Sequence, residues 1–162
     1  MKTLKKRKLE RKTDYGKRIK FLKSRGPRIA FRRSNRYLIS QYITSEEAKD
    51  RIKFGLNSKM LIQYGWPEKS KNLKSTPASY LLGILTGKKI LEEHLEIPVI
   101  DFGMLRVLPK TRIQAFIKGV VDSGLKIKYK NEAFPSEDRI TGKHLKNKIP
   151  FSEIKSKIEK KK

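Results

Sequence analysis

The sequence predicts an α/β fold in which a mixed sheet packs with helices as a sandwich. Three short segments with alternating apolar residues follow one another between residues 28 and 56, which is typical of an antiparallel meander. A short apolar run at residues 97–102 predicts one further, buried strand. Segments with helical spacing precede the meander and flank that run. The order is therefore helix, three strands, helix, strand, helix.

The first predicted helix follows a basic arm, residues 1–12, whose charge predicts disorder in the free protein. Thr13 offers a hydroxyl cap and Asp14 an acid in the first turn. The glycine and proline at 26–27 are expected to end the helix. Its apolar stripe comprises Tyr15, Ile19 and Leu22.

The three strands of the meander are predicted from alternation with a period of two residues. The first strand has Ile29 and Phe31 on one face and Arg28, Ala30 and Arg32 on the other. The second alternates Tyr37, Ile39, Gln41 and Ile43 with Leu38, Ser40 and Tyr42. The third is marked by Ile52, Phe54 and Leu56. Residues 58–64 are predicted as a short helix, and a polar loop follows.

A long helix is predicted to begin at Thr76 and Pro77, a hydroxyl cap with proline at the first helical position, and to run to about Glu96. Its glycines, Gly83 and Gly87, are four residues apart, which predicts close packing on a sheet. The residues expected on its buried side are Leu81, Ile84, Leu85, Leu91 and Leu95.

The strand at residues 97–102 is expected to be buried on both faces. Thr111 is predicted to cap the next helix and Gly124 to end it. The inward residues of that helix are Ile113, Phe116, Ile117, Val120 and Val121. The Lys-rich last 17 residues are expected to form at most a surface helix. The predicted division is a basic arm at 1–12, one α/β domain at 13–145 and a Lys-rich tail at 146–162.

The charge of the chain is strongly and unevenly positive, with 41 Lys+Arg against 16 Asp+Glu, a net charge of +25 and a pI near 10.3. The first 36 residues alone hold 16 basic and two acidic side chains, a net +14. Residues 76–125 hold six basic and five acidic ones. A nearly neutral body with basic ends is typical of proteins that bind nucleic acid.

Composition also argues against several other classes of protein. The chain has no cysteine, so disulfides and thiolate zinc sites are excluded. No run approaches 18 apolar residues, and no apolar stretch of signal-peptide length follows the basic N-terminus. We therefore expect a soluble intracellular protein with no membrane partner. A peripheral membrane binder is disfavoured because no basic helix shows a large exposed apolar face.

The basic residues of the arm, the first helix and the first strand and turn are the candidate RNA contacts. Arginine there suits bidentate contacts to phosphate. Residues 33–36 have two equal interpretations, an ordinary turn or a polar hairpin tip placed against RNA backbone or a splayed base. The tyrosines at 15, 37 and 42 either stack on bases or, for Tyr15 and Tyr37 more often, pack with a wet hydroxyl. The candidates are Lys5, Lys6, Arg7, Lys8, Arg11, Lys12, Tyr15, Arg18, Arg28, Arg32, Arg33, Ser34, Asn35 and Arg36.

No catalytic residue, metal site, cofactor or small-molecule substrate is predicted. Asp101, Asp122 and Asp138 invite a nuclease interpretation, but no second carboxylate lies at helical or strand spacing from Asp101. The two histidines, His94 and His144, have no nucleophile nearby in the sequence. The chain is therefore interpreted as a binding protein and not as an enzyme.

Several segments between about Arg11 and Leu145 form a pattern when taken together in order. The N-terminal pieces are Arg11-Lys12-Thr13-Asp14-Tyr15 with Arg18, Leu22-Lys23-Ser24 with Pro27-Arg28, and Arg32-Arg33-Ser34-Asn35-Arg36 with Gln41. The central pieces are Tyr64-Gly65-Trp66, Pro77-Ala78 with Tyr80-Leu81 and Gly83, and Asp101-Phe102-Gly103. The last are residues 118–125 and Phe134-Pro135-Ser136 with Arg139-Ile140 and Gly142. Together these segments resemble one family, the large-subunit ribosomal protein eighteen in its archaeal-type form.

The resemblance implies a structural protein of the large ribosomal subunit that binds 5S ribosomal RNA in the central protuberance, in the cytoplasm. Its arm would thread between 5S and the large-subunit ribosomal RNA, its basic sheet face and hairpin would lie on 5S, and neighbouring ribosomal proteins of the protuberance would be partners. The chain departs from the family pattern at Ser75, Leu82 and the turn before Ile113. The alternative function is a non-specific RNA-binding chaperone that uses the arm alone.

Overall fold

The computed structural model describes residues 5–10, 12–47, 49–67, 73–145 and 149–160. In this part of the chain, four strands form one sheet in the order β3-β2-β1-β4. They are β1 (Arg28–Arg33), β2 (Leu38–Glu46), β3 (Lys49–Asn57) and β4 (Val99–Asp101). The first three strands form an antiparallel meander, and β4 lies parallel to β1. The predicted α/β fold with a mixed sheet is confirmed.

Helices cover both faces of this sheet. They are α1 (Lys6–Leu9), α2 (Tyr15–Ser24), α3 (Thr76–Glu92), α4 (Arg112–Asp122), α5 (Glu137–Thr141) and α6 (Phe151–Lys160), with 3-10 turns at Ser58–Tyr64 and Asn131–Ala133. The short helix predicted at 58–64 is confirmed. The helix α3 ends about four residues earlier than predicted, and the backbone turns away at His94 with a φ of 48°.

The helix caps differ from the predicted ones. Asp14, and not Thr13, caps α2 by accepting a hydrogen bond from the Lys17 amide at 3.1 Å. The position before α3 is held by Ser75, whose side chain makes no capping bond. Thr111 precedes α4 but donates backwards to the Leu108 carbonyl at 2.8 Å.

The core lies between the sheet and the pair α3 and α4. Ile29 and Phe31 of β1 face it together with Leu38 and Tyr42 of β2, and all four are nearly fully buried. The rings of Phe31 and Phe116 meet with centroids 4.6 Å apart. Every residue of α3 from position 77 to 87 is buried, because this helix is enclosed on all sides.

The glycines of α3 pack against a helix and not against the sheet, which corrects the prediction. A Cβ added at Gly83 would collide with the Phe116 carbonyl of α4 and stand 3.1 Å from the Gly119 Cα atom. One added at Gly87 would collide with the Ser123 side chain. The lack of side chains therefore sets the distance between α3 and α4.

Several predicted core residues are exposed. β4 is an edge strand, and Val99 is 52% exposed, so the expectation of burial on both faces is wrong. Ile52 is 56% exposed beyond an irregularity in the β2–β3 ladder at Tyr42 and Ile43. Ile19 and Leu91 also face outward. The spacing of apolar residues along a strand or helix does not show which part of it a neighbouring layer covers.

The two ends of the chain are more structured than predicted. Residues 6–9 of the arm form one helical turn with no buried side chain, whereas disorder was expected. The Lys-rich tail contains α6, whose Ile154 and Ile158 are each 1% exposed in the core. Lys88 of α3 donates to the Ile158 carbonyl at 2.9 Å. The expectation of at most a surface helix therefore understates how α6 is attached.

Candidate nucleic-acid interface

The predicted basic residues fall into two clusters that differ in their acidic partners. The paired cluster lies where α2 crosses the outer face of the sheet and contains Arg18, Arg28 and Arg32 with Asp50 and Asp101. The hairpin cluster lies at the β1–β2 turn and is lined by Arg33, Ser34, Asn35, Lys74 and Arg112. The arm and Arg36 complete the predicted set.

Asp50 is the centre of the paired cluster. Its carboxylate lies 2.8 Å from Arg28 Nη2 and 3.1 Å from Arg18 Nη1, and it accepts a bond from Ser45 Oγ at 2.9 Å. Burial alone would raise the pKa of Asp50. The hydrogen bonds from Arg28 and Ser45 and the charges of both arginines outweigh burial and hold that pKa below its ordinary value.

Arg28 itself is only 5% exposed, and its Nη1 donates to Ser45 Oγ at 2.8 Å. A side chain this deeply buried presents almost no surface to a polyanion. Its position follows from alternation along β1, which points Arg28 away from Ile29 and beneath α2. Arg28 therefore holds the outer sheet face together rather than extending from it.

Arg32 is held by the last residue of β4 and the turn that follows it. Its Nη2 lies 2.6 Å from Asp101 Oδ2, and its Nη1 donates to the Asp101 carbonyl at 2.8 Å. The other carboxylate oxygen of Asp101 accepts from the Gly103 amide at 2.7 Å. Gly103 has a φ of 57°, and a Cβ there would stand 3.0 Å from the Arg32 Cζ atom. Residues 101–103 thus hold the guanidinium group of Arg32 in place, and the Arg32 side chain remains 43% exposed.

The hairpin tip has features of both interpretations of residues 33–36. The Ser34 hydroxyl accepts from the Tyr37 amide and donates to the Tyr37 carbonyl, both at 2.9 Å. Ser34 thus makes the hydrogen bonds of an ordinary turn residue. It is also exposed, as are Arg33, Asn35 and Arg36 around it. Contact of these four residues with RNA stays a prediction.

Two cations that sequence reasoning missed join the hairpin. Lys74, just before α3, donates through Nζ to the Asn35 carbonyl at 2.9 Å. Arg112, the first residue of α4, donates through Nη1 to the Lys74 carbonyl at 2.9 Å. These residues lie 38 and 39 positions from their neighbours in the cluster, so no local pattern could have found them.

The hairpin cluster carries positive charge without acidic partners. Among the described residues, no carboxylate lies within ion-pair distance of Arg33, Lys74 or Arg112. Partial burial and the charge of Arg33 lower the pKa of Arg112. Arginine nevertheless stays protonated at neutral pH, so the cavity keeps its charge. An anion placed there would relieve the repulsion.

The described part of the arm is also basic. Lys6 and Lys8 are exposed, while Arg7 donates through Nε to Thr13 Oγ1 at 2.9 Å and Lys12 pairs with Glu10 at 2.8 Å. Arg11 lies outside the described residues. Lys5 Nζ stands 4.6 Å above the Tyr15 ring, so one face of that ring is occupied by a cation.

The other tyrosines considered for stacking are not free. Tyr42 is 2% exposed, and its hydroxyl donates to the Glu96 carbonyl at 3.0 Å. Burial, with a contribution from Glu96, raises the pKa of Tyr42. Tyr37 is half-buried against the core. These two rings belong to the packing of the fold.

The three aspartates of the nuclease interpretation are apart and occupied. Asp101 binds Arg32, Asp122 accepts from the Tyr80 hydroxyl at 2.7 Å, and Asp138 pairs with Lys143 at 2.9 Å. Within the described ranges, no three His, Cys, Asp or Glu side chains are grouped as a metal site requires. None of the helices in those ranges combines the length and apolarity that crossing a membrane needs.

The chain is similar to curated archaeal proteins over most of its length. It is 40% identical to "Large ribosomal subunit protein uL18" of Korarchaeum cryptofilum over 139 residues, 86% of this chain and 70% of the relative. The uL18 of Methanoregula boonei is 38% identical over 139 residues, covering 86% and 78%, and that of Caldivirga maquilingensis 39% over 140 residues, covering 86% and 66%. No protein-family model matches the chain.

Proposed function

Because the chain belongs to the uL18 family of large ribosomal subunit proteins, we propose that it binds 5S ribosomal RNA and helps to attach it to the large ribosomal RNA in the central protuberance. The chain is a structural protein of the large subunit, and the finer assignment concerns which RNA it holds. The role is architectural and not catalytic. It places the protein in the cytoplasm, within the large subunit and beside other proteins of the protuberance.

The observation that carries this proposal is the hairpin cluster. Its three cations stand around one open cavity with no acid in the wall among the described residues. A surface built in this way gains energy from a phosphate backbone, because each phosphate neutralised by Lys or Arg releases condensed counterions. The cluster is fixed to two helices and a β-turn, so it presents charge in a defined shape. Shape is what a protein reads on folded RNA, since A-form helices hide their base edges in a deep groove.

The predicted contact residues take different parts in this proposal. Arg33, Asn35 and Arg36 contact the 5S backbone together with Lys74 and Arg112. Arg18 and Arg32 contribute with reduced freedom, because each is held in an ion pair, and Tyr15 does so beneath Lys5. Ser34 shapes the turn, and Arg28 acts by holding Asp50 in place. The arm residues Lys5, Lys6, Arg7, Lys8, Arg11 and Lys12 bind between 5S and the large ribosomal RNA.

A titration across a salt series tests the proposal. The full chain is titrated with 5S ribosomal RNA and, separately, with transfer RNA as the folded competitor. We expect 5S binding to survive at salt concentrations that remove the transfer RNA. If both affinities fall together along one slope, the chain is only a polycation to RNA and the 5S assignment is overturned.

Deletion of residues 1–12 separates the proposal from a non-specific RNA chaperone. A chaperone that uses the arm alone would lose all binding. The proposal predicts weaker binding that still prefers 5S over transfer RNA, because the hairpin cluster remains. The matched control is the full chain at a salt concentration that gives the same 5S affinity as the truncated one.

A further inference from the structure

The outer side of β4 borders a groove that the RNA proposal does not use. The groove has a volume of about 440 Å³ and is lined mainly by apolar side chains of residues 97–100, 102 and 117 together with Lys126, Ile127 and Lys128. Ile97 is 55% exposed and Val99 52% exposed. Two of the ten large hydrophobic residues exposed in the described ranges therefore lie together on this groove. Apolar surface gathered in this way marks an interaction site.

Within the described residues, β4 ends the sheet, and its backbone is open on the groove side. The Val99 amide donates to the Pro27 carbonyl at 3.0 Å, so Val99 points its backbone groups toward β1. Backbone groups alternate along a strand, so those of Ile100 point the other way, into the groove. The segment 126–128 forms no ladder with β4 in this part of the structure. Such an edge is a template for one more strand.

The positive charge of the groove wall indicates what kind of strand would bind beside β4. Lys126 and Lys128 are exposed on the groove wall, and among the described residues no acidic side chain lines it. Ile127 lies between them and faces the apolar floor. A matching segment therefore presents apolar side chains to Val99 and Ile127 and carboxylates to the two lysines.

We propose that an extended, apolar and acidic segment of another protein of the large subunit docks along β4 and lengthens the sheet. This inference rests on the proposed function, which places the chain among such proteins. The mode is strand addition, in which backbone hydrogen bonds supply affinity and side-chain pockets supply specificity. The surface is separate from the hairpin cluster, so RNA and the segment bind at the same time.

Two other occupants fit the groove less well. A second copy of the chain would pair β4 with β4 about a two-fold axis, which brings the lysines of both copies together. The net charge of +25 adds repulsion to that arrangement. RNA would satisfy the lysines but would leave Ile97, Val99 and Ile127 without an apolar partner.

Photo-crosslinking from position 99 tests the proposal. Val99 is replaced by p-benzoylphenylalanine in the full chain, which is assembled into archaeal large subunits in place of the resident uL18. Mass spectrometry then identifies the crosslinked peptide. We expect a segment of another ribosomal protein that contains apolar residues and at least one Asp or Glu. The matched control places the crosslinker at Ile52, an equally exposed residue on the opposite edge strand, and should not give that peptide.

A charge reversal tests the choice of partner. Lys126→Glu with Lys128→Glu should lower the crosslink yield at least tenfold. The control Lys49→Glu with Lys53→Glu removes the same charge from β3 and should leave the yield unchanged. Crosslinks to RNA, to a second copy or to a basic segment overturn the proposal, and so does the absence of any crosslink in particles that contain 5S RNA. Failure of the chain to enter 5S-containing particles overturns the proposed function and this inference with it.

Discussion

The paired cluster and the hairpin cluster both contain arginines, but within the described residues only those of the paired cluster bind carboxylates. In the paired cluster Arg28 and Arg32 meet Asp50 and Asp101 at 2.8 and 2.6 Å. In the hairpin cluster Arg33 and Arg112 line one cavity with no carboxylate in ion-pair distance among the described residues. Arg28, Arg32 and Arg33 come from one basic stretch of sequence, whereas Arg112 comes from a nearly neutral one. The comparison teaches that local charge density predicts a basic surface, while the acids brought in by the fold decide which cations are available to a ligand.

The largest effect that separates the clusters is expected from Arg28→Ala. Removing this buried arginine leaves Asp50 with Arg18 as its ion-pair partner and with the Ser45 hydrogen bond. The change should lower the free energy of unfolding by about 3 kcal/mol, the lower end for a broken buried pair. The slope of RNA affinity against salt should not change. Chemical denaturation and the salt titration measure both quantities. Arg51→Ala is the control, because its pair with Glu46 is exposed and worth less than about 1 kcal/mol. Normal stability together with a shallower slope of RNA affinity against salt would mean that Arg28 contacts phosphate, which would contradict the difference between the two clusters.

Asp50→Asn should act next most strongly, and its effect should depend on pH. The folded protein holds the pKa of Asp50 below its ordinary value of 3.8, so the carboxylate stabilises the fold above that value. At neutral pH we expect a loss of about 2 kcal/mol, since hydrogen bonds to a charged group are being removed. As pH falls through the depressed pKa, wild type loses the same stabilisation and the two unfolding curves converge. Curves that stay parallel down to about pH 2 would show that the charge of Asp50 is not what matters.

Arg33→Ala with Arg36→Ala should have the opposite effects to Arg28→Ala, changing RNA affinity and leaving stability nearly unchanged. These exposed residues should change unfolding by less than about 0.5 kcal/mol. The log–log slope of 5S affinity against salt should become shallower by about two units, one for each phosphate that the variant no longer neutralises. The matched control is Arg51→Ala with Lys53→Ala, which removes equal charge from the far edge strand. An identical slope in both double variants would mean that only net charge is sensed.

Arg112→Gln is the smallest change and tests whether the hairpin cluster extends to α4. Glutamine keeps a donor for the Lys74 carbonyl but removes the charge. The salt slope should fall by about one unit, and combining the change with Arg33→Ala should add a second unit if both residues reach separate phosphates. A combined effect no larger than that of Arg33→Ala alone would restrict the RNA contact to the β-turn.

Much of the fold could be predicted because it depends on local signals. Alternation at residues 28–56, the proline at position 77 and Gly124 placed the strands and helices of the core correctly. The resemblance to the large-subunit ribosomal protein eighteen family is confirmed by the archaeal relatives. The errors concern mainly the partners and the burial of these elements, together with the end of α3 and the helical turn α1. The spacing of Gly83 and Gly87 predicts a close approach, but only the tertiary arrangement shows that α4 makes it.

The candidate site was predicted less completely, for the same reason. Arg33 and Arg36 were found from their local charge, but Lys74 and Arg112 come from distant segments that carry no local signal. Arg28 and Arg32 were grouped with them because nothing local shows that Asp50 and Asp101 will fold against these two arginines. The RNA contacts themselves stay predictions until the salt titrations are made.

The glycine contact between α3 and α4 reaches beyond the core. Lys74 stands just before α3 and Arg112 opens α4, while Gly83 and Gly119 fix how closely these helices lie. The lack of side chains at Gly83 and Gly119 in the interior therefore helps to set the spacing of two charges of the hairpin cluster. In a random mutagenesis screen for weakened ribosome assembly, hits should appear at these glycines as well as on the surface. Such variants would weaken assembly as binding-site mutations do, although the substituted residues lie in the interior.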